Sequence, residues 1–211
     1  MTTLPPQQLA LGPVAAAAAA GDIERLSIAL RAALDAGLAV GEAKEVLVQL
    51  YAYAGFPRAL NALGELMRVV EGRRAAGIED TPGKAPGPVP SGQALLEAGT
   101  ANQTRLSGAP VKGALFDFAP AIDQFLKTHL FGDIFARDNL DWSSRELATV
   151  AALSAMTAVE PQLLAHVRIS LNVGLSAGQL RQFADALSNA GEQEPARRLR
   201  AALAKHLAAA A

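Results

Sequence analysis

The chain has 211 residues, of which 51% are apolar, so it is long enough to bury a substantial hydrophobic core. Its 19 Lys and Arg are balanced by 20 Asp and Glu, and the basic residues are scattered, which excludes the positive field expected of a nucleic-acid-binding protein. It contains no Cys, which removes disulfides, iron–sulfur clusters, thiolate zinc sites and cysteine nucleophiles together. No apolar run approaches the ~18 residues of a membrane span, and the first residues lack an export signal. We expect a soluble, cytoplasmic protein without nucleic-acid or membrane partners.

Helix is the only regular structure that the pattern predicts, because apolar residues recur at three and four positions and Ala, Leu, Glu, Arg and Gln dominate. The fold class is therefore all-α. A first helical unit occupies residues 1–75, and its helices are predicted from about 7 onward, at 23–34, at 41–54 and from Pro57 to about 73.

Residues 76–114 differ from this unit because Pro and Gly are interleaved throughout them, which predicts a linker that lies on the surface. A second unit follows at residues 115–211. It begins with an aromatic-rich stretch that holds five of the seven Phe, which indicates a structural anchor or a subunit interface. Helices are then predicted at 144–157, 161–173, 177–189 and 195–210.

Two capping boxes are expected in this second unit. Ser143 with Glu146 and Ser176 with Gln179 both have the spacing in which the two side chains bond reciprocally to a helix start.

The two units are related by an internal repeat. Superposing Gly37 on Gly174, 137 positions later, pairs residues 33–38 (ALDAGL) with residues 170–175 (SLNVGL) at the end of a helix in each unit. This spacing is too long for a solenoid and indicates duplication of one helical unit. In this register Ala29 stands opposite His166 and Leu9 opposite Glu146, so only the second unit keeps a titratable pair.

Several fragments resemble the carboxymuconolactone decarboxylase-like superfamily. Residues 53–62 (YAGFPRALNA) are similar to the ending of its domain signature. The front part of the same domain is similar to a second set of residues in this chain. This set comprises Phe131-Gly132, Arg137 and Leu140, followed by the segments 144–148 (SRELA), 162–166 (QLLAH) and 171–175 (LNVGL).

The resemblance implies an AhpD-like helical bundle with two pseudo-equivalent repeats, assembled as a trimer or hexamer. In the alkylhydroperoxidase branch a CxxC pair precedes the His, whereas here the corresponding residues 159–162 are VEPQ, so thiol peroxidase activity is not expected. The family's His and its AYAGFP ending normally lie in one repeat, but here His166 and residues 52–57 lie in different units. Any site would be assembled across the two units or across subunits.

The resemblance implies that His166 and Glu146 are the catalytic pair. The competing interpretations are a core histidine satisfied by one hydrogen bond and a Glu that only completes a capping box. Arg137 and Arg145 are candidates to clamp a substrate carboxylate, although an Arg near a helix end is more often solvated or paired on the surface.

Glu45 and Tyr53, on the helix that precedes Gly55, are further candidates for substrate binding. Packing between helices explains Tyr53 equally well, and Glu45 is compatible with a solvated helix charge.

The three His are far apart and form no HExxH pattern, so no metal site is predicted, and the absence of GxGxxG, Walker and GxSxG motifs predicts no cofactor. We expect cofactor-free decarboxylation or proton transfer on a small unsaturated lactone or carboxylic acid. The rival interpretation is a family member that has lost its CxxC and serves as a catalytically silent scaffold or small-ligand-binding module.

Overall fold

A computed structural model describes residues 3–209, and its regular structure is helical throughout. A π-helix, Leu126–Ile134, lies between the seventh and eighth α-helices. The eleven α-helices of the described residues are α1 Pro6–Ala20, α2 Ile23–Asp35, α3 Val40–Ala54, α4 Phe56–Ala75, α5 Gly92–Ser107, α6 Ala114–Phe118, α7 Pro120–Phe125, α8 Trp142–Ala155, α9 Glu160–Asn172, α10 Ala177–Asn189 and α11 Gln193–Ala209.

Short polar side chains cap the starts of α2, α8 and α10. Ser176 and Gln179 form the predicted capping box at the start of α10, which confirms that prediction. The predicted box of Ser143 and Glu146 is wrong, because Asp141 caps α8 by accepting a hydrogen bond from the Ser144 backbone N–H at 2.9 Å. An Asp in extended conformation two residues earlier satisfies the free N–H groups, so the helix begins at Trp142 and Glu146 takes no part in capping.

The core is built around the contact between α1 and α8, the most extensive helix pair of the structure. Residues 15–19 of α1 are five consecutive buried alanines, and Ala148, Ala151 and Ala152 of α8 are buried as well. Small side chains let two helix axes approach closely, and a helix that is apolar on every side must be surrounded. The remaining helices therefore pack around this central pair.

The duplicated unit is visible in the helix bounds. α2 and α9, which comprise residues 23–35 and 160–172, correspond residue for residue at the spacing of 137. α3 and α10 begin at equivalent residues, as do α4 and α11, and α1 and α8 are the equivalent first helices. The central contact of the core is thus a contact between the two copies of one helix, as expected for two pseudo-equivalent repeats.

The segment between the repeats is more ordered than the linker predicted for residues 76–114, because residues 92–107 form α5. This helix packs against the π-helix and closes a second apolar cluster that includes Leu106, Phe131 and Phe135. Helix formation here depends on that tertiary contact rather than on local composition. Of the Phe-rich stretch, Phe131 and Phe135 are anchors in this cluster, whereas Phe118 and Phe125 are exposed.

Within residues 3–209, no helix is long and apolar enough to cross a membrane.

The contact between α5 and the π-helix predicts a strong effect of one methyl group. A Cβ at Gly99 would overlap the carbonyl oxygen of Lys127, which is backbone and cannot move aside cheaply. We expect Gly99→Ala to lower the free energy of unfolding by about 1–3 kcal/mol, measured by urea denaturation. Gly64→Ala is the matched control, because a Cβ at this position in α4 meets no atom within 4 Å and should raise stability by about 0.5–1 kcal/mol. Equal effects at the two glycines would contradict the close approach.

Candidate active site

The predicted His166 and Glu146 meet in the structure. Glu146, in the second turn of α8, is fully buried, and its Oε2 lies 2.8 Å from Nδ1 of His166 on α9. The imidazole keeps 10% of its side-chain surface exposed, and its Nε2 has no hydrogen-bond partner among the described residues. The pair therefore has a buried carboxylate end and an imidazole edge that solvent reaches.

Tyr53 of the first repeat borders this pair. Its ring meets the ring of His166 in a T-shaped arrangement, with centroids 5.4 Å apart and planes at 81°. Its hydroxyl oxygen is buried without a hydrogen-bond partner in the described chain, and the same holds for Oε1 of Glu146. Burial and the Glu146 charge raise the pKa of Tyr53 above its ordinary value, against smaller opposing effects of Thr149 and Arg145, so the phenol stays protonated. The site thus combines residues from both repeats.

The two predicted arginines bind a carboxylate of the chain itself. Arg137 donates to both oxygens of Glu45, at 2.9 and 2.6 Å, and Arg145 donates to Glu45 Oε2 at 3.1 Å. Arg145 has no exposed side-chain surface, whereas Arg137 keeps 31% exposed. Because Arg145 is fully buried and paired with Glu45, the structure argues against the substrate-binding roles expected for Arg145 and Glu45. Glu45 is also not the solvated helix charge of the alternative interpretation.

Gln49 and Thr149 also belong to this network, although the sequence did not predict a role for them. Gln49 accepts from Arg145 Nη1 at 3.2 Å and donates to the Arg145 carbonyl and to Thr149 Oγ1, at 2.9 and 2.7 Å. Gln49 lies on the buried face of α3, beside Val46 and Leu50. A polar residue within an apolar stripe was the signal that could have identified it.

Electrostatics of the network are dominated by Glu45. Burial alone would raise the pKa of this carboxyl, but Arg137, Asn139 and Arg145 outweigh that effect and lower the pKa to about 2. Burial lowers the pKa of Arg145, and Glu45 opposes that shift. Each charge is therefore stable inside the protein because the other is present.

This network predicts an acid-sensitive contribution to stability. The pKa of Glu45 is lowered from 4.5 to about 2, so its ion pairs stabilise the folded state fully above pH 4.5 and are lost as the pH falls towards 2. The difference corresponds to about 3 kcal/mol. We expect Glu45→Gln to reduce the free energy of unfolding near neutral pH by about 3–5 kcal/mol, because Arg145 loses its counterion, and to flatten the acid limb of the stability profile.

The matched control is Glu79→Gln, which changes an exposed carboxylate. Urea denaturation between pH 2 and 7 should show the same acid limb for this variant and the unmodified chain. An unchanged acid limb in Glu45→Gln would contradict the assignment.

Within the described residues, no group of three or more His, Asp or Glu is placed to hold a metal ion.

The fold and the site together define an all-α protein made of a duplicated helical unit, with a buried carboxylate–imidazole pair in its second copy. The family model of the carboxymuconolactone decarboxylase family matches residues 2–66 and 120–205, one region in each repeat. These regions cover most of the chain, so the chain belongs to this family. No curated protein matches it.

Proposed function

We propose that the protein performs cofactor-free proton transfer on a small unsaturated lactone or carboxylic acid, with decarboxylation as the reaction class. The observation that supports this proposal is the 2.8 Å contact between Glu146 and His166 in a chain of the carboxymuconolactone decarboxylase family. An imidazole oriented by a carboxylate is a common device for general acid–base catalysis.

Glu146 orients His166 in this proposal. Its Oε2 accepts a hydrogen bond from Nδ1–H of the protonated ring, which fixes the plane of the imidazole and the direction of its Nε2–H. The Nε2–H, which meets no partner among the described residues, is then the proton donor. Because Glu146 is fully buried, it acts only through His166.

The reaction balances without a cofactor. The bond between the substrate carbon and its carboxylate breaks, carbon dioxide leaves, and the electron pair is delocalised into the conjugated carbonyl as a dienolate. His166 Nε2 then gives its proton to the carbon, and the neutral ring recovers a proton from solvent at its exposed edge. Removal of a substrate carboxylate from water favours its loss, because the charge becomes spread in the dienolate.

Tyr53 is a positioning residue in this scheme. Its ring packs against the imidazole in a T-shaped contact, and its buried, protonated hydroxyl feels the charge of Glu146. This differs from the substrate-binding role expected from the sequence.

The decisive test is turnover of carboxymuconolactone, followed by carbon dioxide release. We expect activity in the unmodified chain and a loss of about 10²–10⁴-fold in kcat for His166→Ala, because the proton donor is removed. Tyr53→Phe should leave KM nearly unchanged and alter the pH profile of kcat, since the phenol acts through Glu146.

His206→Ala on α11 is the matched control and should keep full activity. Equal rates for His166→Ala and the unmodified chain would remove His166 from the mechanism. If the unmodified chain releases no carbon dioxide, the decarboxylase proposal fails.

A second candidate function is a catalytically silent scaffold that binds a partner or a small ligand. It is favoured by the full burial of Glu146 and Arg145, the narrow exposure of His166, and the pairing of both arginines with Glu45. Thiol peroxidase chemistry is not a candidate, since the sequence contains no Cys.

We also propose that the chain forms a homo-oligomer, with a trimer as the expected state because each chain carries two repeats. Large apolar side chains are exposed on the two short consecutive helices α6 and α7, and a second exposed set lies on α4. A second copy of the chain can pack against these surfaces and cover them. The first set comprises Leu115, Phe118, Ile122 and Phe125, and the second Phe56, Leu60 and Met67.

The oligomer can be tested by sedimentation velocity. We expect the unmodified chain to sediment as an oligomer and Phe118→Ser, which removes a side chain that is 88% exposed, to shift it towards the monomer. Gln124→Ser changes an exposed polar residue of α7 and should not alter the distribution. A monomeric unmodified chain would contradict the proposal.

A further inference from the structure

A cavity of about 260 Å³ lies between α1 and α2 of the first repeat and Ala190 and Glu192 of the second, at the position equivalent to the Glu146–His166 site. Ala29 and Ala190 line it, and the spacing of 137 places them opposite His166 and Tyr53 respectively. Ala33 and Pro13, also in the wall, are the counterparts of Ser170 and Val150. The cavity is therefore the second copy of the site, in which small side chains stand where the other copy has an imidazole and a phenol.

Its wall is apolar except at one edge, where Glu192 and Arg25 face each other. Arg25 Nη1 donates to Glu192 Oε2 at 3.1 Å, and Arg25 Nε donates to Asp22 Oδ2 at 2.8 Å. The Glu192 side chain is only 4% exposed, whereas Arg25 is 46% exposed. One guanidinium is thus shared by two carboxylates, and the less exposed carboxylate borders the cavity.

The cluster of Asp22, Arg25 and Glu192, of which the last two line the cavity, has an excess of negative charge. Arg25 supplies one positive charge against the two negative charges of Asp22 and Glu192, and Oε1 of Glu192 accepts no hydrogen bond from the described residues. Burial raises the pKa of Glu192, Arg25 opposes that shift, and the charge of Asp22 adds to it. The carboxylate is therefore only partly compensated by the protein.

We propose that this cavity is a second binding site, specific for a small organic ammonium ion with an apolar body. The body replaces water along the alanine-lined wall, and the ammonium group donates to the free oxygen of Glu192. A carboxylate ligand would instead meet the like charge of Glu192, and the guanidinium of Arg25 is already shared by two carboxylates. The volume lies below that of sites for drug-sized ligands, which limits the ligand to a single small ring or a short chain.

The site is independent of the decarboxylation proposed above, since it uses neither His166 nor Glu146. It assigns a binding role to the second, pseudo-equivalent position between the two repeats, where the titratable pair is missing.

Isothermal titration calorimetry on the full chain tests the charge preference, with cyclohexylamine, cyclohexanol and cyclohexanecarboxylate as probes of nearly equal shape. We expect cyclohexylammonium to bind about tenfold more tightly than the alcohol, and the carboxylate to bind most weakly. Glu192→Gln should remove the preference for the ammonium ion over the alcohol. Absence of ammonium binding at millimolar concentration, or equal binding of the carboxylate, would overturn the proposal.

Ala29→Leu tests the location, because the larger side chain fills the cavity while suiting a helix. It should abolish binding of all three probes. Ala201→Leu makes the same change at an exposed position of α11 and should leave binding unchanged. Undiminished binding in a folded Ala29→Leu variant, checked by circular dichroism, would place the ligand elsewhere and refute the assignment.

Discussion

The buried charge of Arg145 is the constraint on which the arrangement of the two repeats depends. A guanidinium without exposure needs a counterion and hydrogen-bond acceptors, and the first repeat supplies them as Glu45 and Gln49 of α3. Removing one partner of such a pair costs several kcal/mol, so α8 and α3 are held in one relative position. Glu146 is the next residue of α8, and this fixed position directs it towards α9 and His166.

The same constraint explains why the candidate site needs both repeats. Tyr53 lies two turns beyond Glu45 on α3, so the ion pair that fixes α3 also brings the phenol ring against His166. Within the family's usual arrangement the His and the AYAGFP segment belong to one repeat, whereas here the pseudo-symmetric packing of α1 against α8 brings them together from opposite halves. In this chain the contact between Tyr53 and His166 is therefore a contact between the two units.

The helices and their register were predictable because they rest on local patterns, namely apolar periodicity, the Ser176 capping box and the 137-residue repeat. Which of two neighbouring residues caps a helix was not predictable. Asp141 and Ser143 are both good N-caps, and only the backbone geometry decides in favour of Asp141. The burial of Arg145 and its ion pair with Glu45 were also not predictable, since no sequence pattern places residue 45 beside residue 145. For the same reason the sequence pattern predicts a linker where α5 forms, because this helix depends on its contact with the π-helix.

The unequal chemistry of the two repeats follows from the different costs of burying polar and apolar groups. A carboxylate and an imidazole inside a helical core must keep each other satisfied, and loss of one leaves the other as a buried polar group without a partner. Replacement of both by apolar residues is close to neutral for stability, and the first repeat, with Leu9 and Ala29 at these positions, represents that outcome. Leu9 fills the core, but Ala29 is smaller than an imidazole and leaves space on its side of the helix. The first repeat, which lacks the carboxylate–imidazole pair, therefore borders an apolar cavity whose charged edge includes Glu192 of the second repeat, and this geometry suits the separate binding role proposed above.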